Sequence, residues 1–369
     1  MFGQLYIVLI NESRNLLNRF EFLFGVGEKD IKPNITIEKM KKRKMFSFNS
    51  ELDKVTGVQK VLIDIHKAMK NAYVTKIVGN IPYTKINKQH GIKKVEYRRF
   101  VNPFMFYNSI VILHERKYLL IFWILNNLFF QRIKLVYIHH NIFNNYRLLS
   151  IMPRTVVSIS DRCTENLTTF FKVPIERIHK IYNCVIDTHP APHKYNSSGE
   201  ITLVYPARVN SVKRQIEVYK NLRGKLNPHV KILFAGIGPE FELLRESIKG
   251  NEQFRVLGFI DDIPSLLLEY DYMLLFSKHE GLPITLIEAT MCYTPIICND
   301  VGGNTEIAHN GENAFIVNDW EELIQILNSL PKVGLNEYMN MSSKSRSIYE
   351  ENFTFHEFQK NYLKLFSQL

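Results

Sequence analysis

Short apolar runs alternate with amphipathic stretches along this sequence, and after a break near residue 187 the alternation begins again. Strand-like segments separated by helical ones need crossover connections, which build parallel sheets. The pattern therefore predicts two α/β domains. MFSFN from Met45 reads as a strand. A polar turn, Ser50–Gly57, follows it. In VQKVLIDIHKAMKN, Val58, Val61, Leu62, Ile65 and Met69 recur at helical spacing. VTKIVG, KKVEYRRF, SIVILHE, KLVYIHHN and TVVSIS read as further strands, and a helix follows from Asp161. Residues 187–200, DTHPAPHKYNSSGE, have the composition of a linker. Beyond them come ITLVYPARV, a helix near Gln215–Leu222, KILFAGIG, a helix from Pro239, FRVLGFI, YMLLFS, a helix from about Ile284, TPIICND and AFIV.

Charge divides the same way. Residues 1–190 hold 30 basic and 14 acidic side chains, a net +16, whereas residues 191–369 are net −5. A basic lobe points to an anionic partner: a membrane surface, a nucleic acid or an acidic substrate. No aromatic-basic RNA motif or DNA-binding helix pattern is present, which argues against nucleic acid. The most apolar stretch, Tyr118–Phe130, is too short to span a bilayer and contains Asn126 and Asn127. It reads first as a buried helix, with an interfacial helix as the alternative. Met1–Ile10 has neither the basic start nor the cleavage site of a signal peptide. Cys163, Cys184, Cys292 and Cys298 show no metal-binding spacing and suit a reducing, cytoplasmic setting.

Ligands of parallel sheets bind at the carboxyl ends of strands. Four segments there carry the candidate chemistry. In SKHEGLPITLIEA, Glu280 and Gly281 fall in a turn, Pro283 suits a first helical turn, and Glu288 falls on the second. Two carboxylates can grip sugar hydroxyls, and helix-start amides suit a phosphate. Two glutamates eight apart are also common by chance. Arg208 and Lys213 follow the strand ITLVY, where they could pinch a diphosphate or form a solvated loop. Gly236 and Gly238 give half of a dinucleotide fingerprint, with Phe241 where the third glycine belongs, so NAD is discounted. Gly302-Gly303 permits a close backbone approach or is a plain turn. His139 and His140 point to opposite faces if extended. His114 reads as packing, and Asn183 as part of an inter-domain turn.

In family order, the segments around Arg208 and Lys213, FAGIGPE, VLGFIDDIPSLLLEYDYMLLFSKHEGLPITLIEA and VGGNTEIAHNGENAFIV resemble the nucleotide-sugar domain of retaining glycosyltransferases of family four. GVQKVLIDIHKAM, VILHERKYLL, VYIHHN, VVSISDRCTENL and IHKIYNCVID resemble landmarks of its first domain. The resemblance implies the GT-B fold: two Rossmann-like domains facing a cleft, with a C-terminal helix crossing back to the first. The expected divisions are 1–43, an extension of unknown role; 44–188, the acceptor side; 189–350, the nucleotide-sugar domain; and 351–369, the returning helix. It implies that Arg208 and Lys213 hold the donor diphosphate, Glu280 contacts the transferred sugar and Glu288 binds the ribose. Gly281, Leu282 and Thr285 would serve phosphate and sugar, Gly57 would lie near the diphosphate, and Gly238 would let the nucleotide approach. His140 would face the sugar. Ala207 stands where the family has glycine, and Thr56-Gly57 where it often has two glycines.

The expected activity is metal-independent hexosyl transfer from a nucleoside diphosphate sugar to a glycan or lipid-linked acceptor in cell-surface polysaccharide synthesis. No cofactor is expected, and no Asp-x-Asp motif stands at a strand end. The expected setting is the cytoplasm, peripheral at the inner face of the membrane. A nucleotide-sugar epimerase and a non-catalytic sugar-nucleotide-binding protein are the alternatives.

Overall fold

The computed structural model describes residues 43–192 and 199–369. The N-terminal extension, apart from Arg43, and residues 193–198 of the linker lie outside the described residues. The first domain contains β1 (Lys44–Phe48), α1 (Gly57–Met69), β2 (Val74–Gly79), β3 (Tyr97–Arg99), β4 (Ile110–Leu113), α2 (Leu119–Leu128), β5 (Lys134–His139), β6 (Thr155–Ser158), α3 (Asp161–Thr169) and β7 (Ile178–Lys180). Its seven strands are parallel, in the order β3-β2-β1-β4-β5-β6-β7. The second domain contains β8 (Ile201–Pro206), α4 (Gln215–Leu222), β9 (Val230–Ala235), α5 (Phe241–Ser247), β10 (Phe254–Gly258), α6 (Ile263–Leu267), β11 (Tyr272–Leu275), α7 (Ile284–Met291), β12 (Ile296–Cys298), β13 (Ala314–Ile316) and α8 (Trp320–Ser329). Its six strands are also parallel, in the order β10-β9-β8-β11-β12-β13. Both sheets reverse direction of growth once, between β1 and β4 and between β8 and β11. Open parallel sheets form their ligand crevice at that reversal.

The sequence builds both faces of each sheet. In β1, Met45 joins the cluster with Val61, Ile65 and Met69 of α1, while Phe46 and Phe48 join Phe106, Phe122 and Leu125 on the other side. In β4, Ile110 and Ile112 face α1 and Val111 and Leu113 face α2. That alternation is the two-residue period of a strand buried on both faces. Side-chain oxygens of Thr56 and Ser160 cap α1 and α3, accepting from Val58 N at 3.3 Å and Cys163 N at 3.1 Å. They supply partners for amides that the first helical turn cannot pair.

Two long helices end the chain, α9 (Leu335–Asn352) and α10 (Phe355–Ser367). α10 returns to the first domain: Gln359 Nε2 donates to Ala68 O at 2.7 Å, and Phe366 stacks edge-on against Tyr73. The crossing strap is fixed by Tyr349 Oη donating to Val185 O at 2.9 Å and by Arg346 gripping Asp187.

Several boundaries differ from the sequence expectation. The helix expected from Pro239 begins at Phe241, because Gly238 is pressed on the Val209 backbone and Glu240 N bonds Val209 O at 3.3 Å. Pro283 is the extended residue capping α7 and lies outside its first turn. KKVEYRRF yields only three strand residues. The apolar 118–130 stretch is half-buried: Leu119, Phe122 and Leu125 are in the core, while Leu128, Phe129 and Phe130 are exposed. All four cysteines are buried and unbridged. Among the described residues, no helix is long and apolar enough to cross a membrane.

Candidate active site

The loops after β8 and β11 are tied together before any ligand enters. Tyr205 Oη, at the end of β8, donates to Lys213 O at 2.5 Å and accepts from Phe276 N at 3.0 Å. Lys278 N donates to Val212 O at 2.8 Å. Asn210 turns the chain, its Oδ1 accepting from Lys213 N at 2.9 Å. Arg214, left-handed at φ 58°, lies over Phe276 and Trp320 and bonds Glu217. These contacts aim Lys213 inward. Its Nζ meets Glu280 Oε1 at 2.5 Å, with the carboxylate almost fully buried. Arg208 stays exposed at the rim.

Glycine is required at two positions beside Glu280. A Cβ on Gly281 would fall 2.0 Å from His140 O, across the two domains. Gly302, at φ +57°, would place one 2.0 Å from Glu280 O. Gly303 N then bonds Gly281 O at 2.8 Å, and Asn183 Nδ2 reaches Leu282 O at 3.1 Å. The Glu280–Leu282 backbone is thus clamped from both sides. Helix α7 starts just beyond it, and Ile284 and Thr285 line the same space. The opening amides of a helix lack internal partners and carry its positive end, so this point of the cleft favours an anion.

The result is one cavity of about 510 Å³ between the domains. It brings together Arg208, Lys213, Glu280, Gly281, Leu282 and Thr285 from the second domain with Gly57 and His140 from the first. His139 points the other way, its Nε2 bonded to Asn166 Oδ1 at 3.0 Å. Burial depresses both histidines, His139 to about 4 and His140 to about 3, so both are neutral near pH 7.

Two expected residues do not line this cavity. Gly238 packs on Val209, where its Cβ would lie 2.2 Å from the carbonyl oxygen. It shapes the loop rather than facing the cleft. Glu288, half-buried on the second turn of α7, has its carboxyl raised by desolvation to about 7 despite the opposing charge of Lys60. Lys60 itself reaches Asp64 at 3.1 Å and Cys184 O at 3.4 Å. Lys60 and the Asn183 amide contact were not foreseen. Helical periodicity marks residue 60 only as polar, and no local signal shows that α1 meets α7. The sequence marks His114 only as packing; its Nδ1 lies 3.0 Å from His140 Nε2. Among the described residues, no group of three His, Cys, Asp or Glu side chains is placed to hold a metal ion.

Residues 188–347 match the family described as glycosyl transferases group 1. The matched segment runs from just before β8 into α9, the whole of the second sheet. The sequence is 32% identical over 124 residues to putative glycosyltransferase EpsD of Bacillus subtilis (strain 168), covering 32% of each chain. It is 28% identical over 228 residues to N-acetyl-alpha-D-glucosaminyl L-malate synthase of Bacillus anthracis, covering 56% of this chain and 58% of that one. The matches thus span about a third and under two thirds of those relatives. Anabaena Alr3699/HepE in complex with UDP superposes with a TM-score of 0.74 at 18% identity, over 89% of this chain and 100% of that one. The lipopolysaccharide outer core galactosyltransferase WaaB, apo form, gives 0.72 at 16% identity over the same shares. The fold is GT-B, as the group 1 resemblance implies.

Proposed function

We propose that this protein is a retaining glycosyltransferase that moves a hexosyl group from a UDP-sugar to a glycan or lipid-linked acceptor in cell-surface polysaccharide synthesis. The observation that carries this reading is the shared cavity, in which Lys213, Arg208 and the start of α7 surround Glu280 opposite His140. As the bond between the sugar's anomeric carbon and the diphosphate breaks, negative charge grows on the leaving diphosphate. Lys213, held by Glu280, and the α7 amides are fixed donors, and Arg208 adds a cation at the rim, an arrangement that stabilises such charge. Glu280 accepts from sugar hydroxyls. The acceptor oxygen approaches from the first domain, past Gly57. Anabaena Alr3699/HepE is described with UDP and glucose, and with UDP-glucose. Among relatives, names include Vi polysaccharide biosynthesis protein VipC/TviE of Salmonella typhi and capsular polysaccharide biosynthesis glycosyltransferase CapH of Staphylococcus aureus. These support the donor and the product class.

Peripheral docking at the cytoplasmic membrane face belongs to the same proposal. At the opposite rim of the first sheet, Arg132, Lys134, Arg154 and Arg177 line a cavity of about 1020 Å³ that contains no Asp or Glu side chain. Exposed Leu128, Phe129 and Phe130 adjoin Arg132 in the chain. Cations beside exposed aromatic and apolar groups suit an anionic bilayer surface.

The functional test incubates UDP-glucose and UDP-N-acetylglucosamine with the protein, with and without bacterial lipid acceptors. Release of UDP should be stimulated by acceptor and be lost in Glu280→Ala. Conversion of the donor alone into its epimer would favour the epimerase, and equal rates in wild type and Glu280→Ala would overturn the assignment.

A further inference from the structure

His114 is the first residue after β4 and His140 the first after β5, and these strands are parallel neighbours. Their rings therefore meet at one end of the sheet. They lie 19° from parallel with centroids 5.2 Å apart, and His114 Nδ1 is 3.0 Å from His140 Nε2. Both side chains are buried, and burial keeps both neutral. A neutral imidazole has one N–H and one lone pair, so only one ring donates in this bond.

The other nitrogen of His114 settles which ring that is. Its Nε2 is buried without a hydrogen-bond partner. If His140 donated, the His114 proton would have to sit on Nε2, leaving a buried N–H unpaired. If His114 donates, Nε2 holds only a lone pair. Orphaned buried N–H groups are the rarer of the two in folded proteins. The bond thus runs from His114 to His140.

We propose that His114 is a positioning residue: it donates from Nδ1 to His140 Nε2, which holds the His140 proton on Nδ1 and makes that nitrogen a hydrogen-bond donor to the cleft. Among the described residues, Nδ1 of His140 has no other partner. Glu280, lining the same cavity, accepts hydrogen bonds only. The cleft then offers a fixed donor on one domain and a fixed acceptor on the other. Sugar hydroxyls both donate and accept, so the pair fits the transferred ring. That last step rests on the proposed glycosyl transfer; the tautomer does not.

Long-range ¹H–¹⁵N correlation spectra of the ligand-free protein test the tautomer directly. The expected result is protonation of both rings on Nδ1. A His140 proton on Nε2 would overturn the proposal, whatever the protein's activity. His114→Phe keeps a ring of similar volume and removes the donor. It should release His140 from a single tautomer and lower kcat/KM about tenfold, the size of one lost hydrogen bond, for whichever of UDP-glucose and UDP-N-acetylglucosamine the wild type turns over. The Kd for UDP, which lacks the sugar, should not change. His114→Asn, which can donate from Nδ2, should restore most of the activity. Unchanged kcat/KM in a folded His114→Phe would also refute the positioning role. If the wild type neither binds UDP nor turns over these donors, the functional reading fails and the tautomer result stands by itself. If His114→Phe does not fold, the wild-type spectrum decides.

Discussion

Glu288 offers a test of how burial beside the site stores free energy. Its carboxyl rises from an ordinary value of 4.5 to about 7, chiefly through desolvation at its half-buried place on α7. The sign follows from linkage. Between those two values the folded protein holds a proton that the unfolded chain has released, so this residue makes stability fall as pH rises. The span is about 2.5 pH units, and at 1.36 kcal/mol per unit the full effect is about 3 kcal/mol. Glu288→Gln mimics the protonated form at all pH values and removes the slope. Urea unfolding of both proteins from pH 4.5 to pH 8.5 should show the variant gaining on the wild type as pH rises, approaching about 3 kcal/mol above pH 7. A stability difference that stays flat with pH would refute the reasoning, and so would a difference that grows toward acid.

Other perturbations separate further parts of the account. Gly281→Ala should lower turnover at least tenfold, because its Cβ would meet His140 O at 2.0 Å and push the two walls of the cleft apart; unchanged turnover would contradict this. Leu62→Ala, in the fully buried α1 cluster with Leu52 and Ile77, should destabilise the fold by about 2–5 kcal/mol in the same urea assay. Turnover in excess EDTA should equal that in magnesium buffer if, as proposed, Arg208, Lys213 and the α7 amides take the diphosphate charge; loss of activity restored by a divalent cation would contradict this. Arg132→Glu combined with Lys134→Glu should reduce sedimentation with phosphatidylglycerol vesicles, and unchanged sedimentation would remove the membrane proposal.

Much of this architecture is legible in the chain because strands buried on both faces leave long apolar runs. ITLVY, KILFA and YMLLF could hardly be anything else, and the turn residues after them locate the carboxyl ends. The Glu280-Gly281 turn was readable for the same reason. What the sequence hides is what happens between segments distant in the chain. Gly281 reads as a turn glycine, yet its lack of a side chain matters because His140 of the other domain stands against it. His114 reads as an apolar-strand ending, and only the pairing of β4 with β5 brings it to His140. Glu288 reads as a cleft residue from its place on α7, whereas it lies half-buried outside the cavity lining, within the field of Lys60 from α1. The strands β3 and β7 have only three residues each, too few to show a period. The helix expected from Pro239 starts two residues later because proline marks the neighbourhood of a first turn without fixing its register.

Calorimetric titration of UDP into the wild type, Arg208→Ala and Lys213→Ala measures the diphosphate grip itself. The account predicts saturable one-to-one binding to the wild type. Each variant should lose about ten- to a hundredfold in Kd, because a hydrogen bond to a charged group is worth roughly 1.5–3 kcal/mol. The same Kd for all three proteins, or no heat from the wild type, would contradict it.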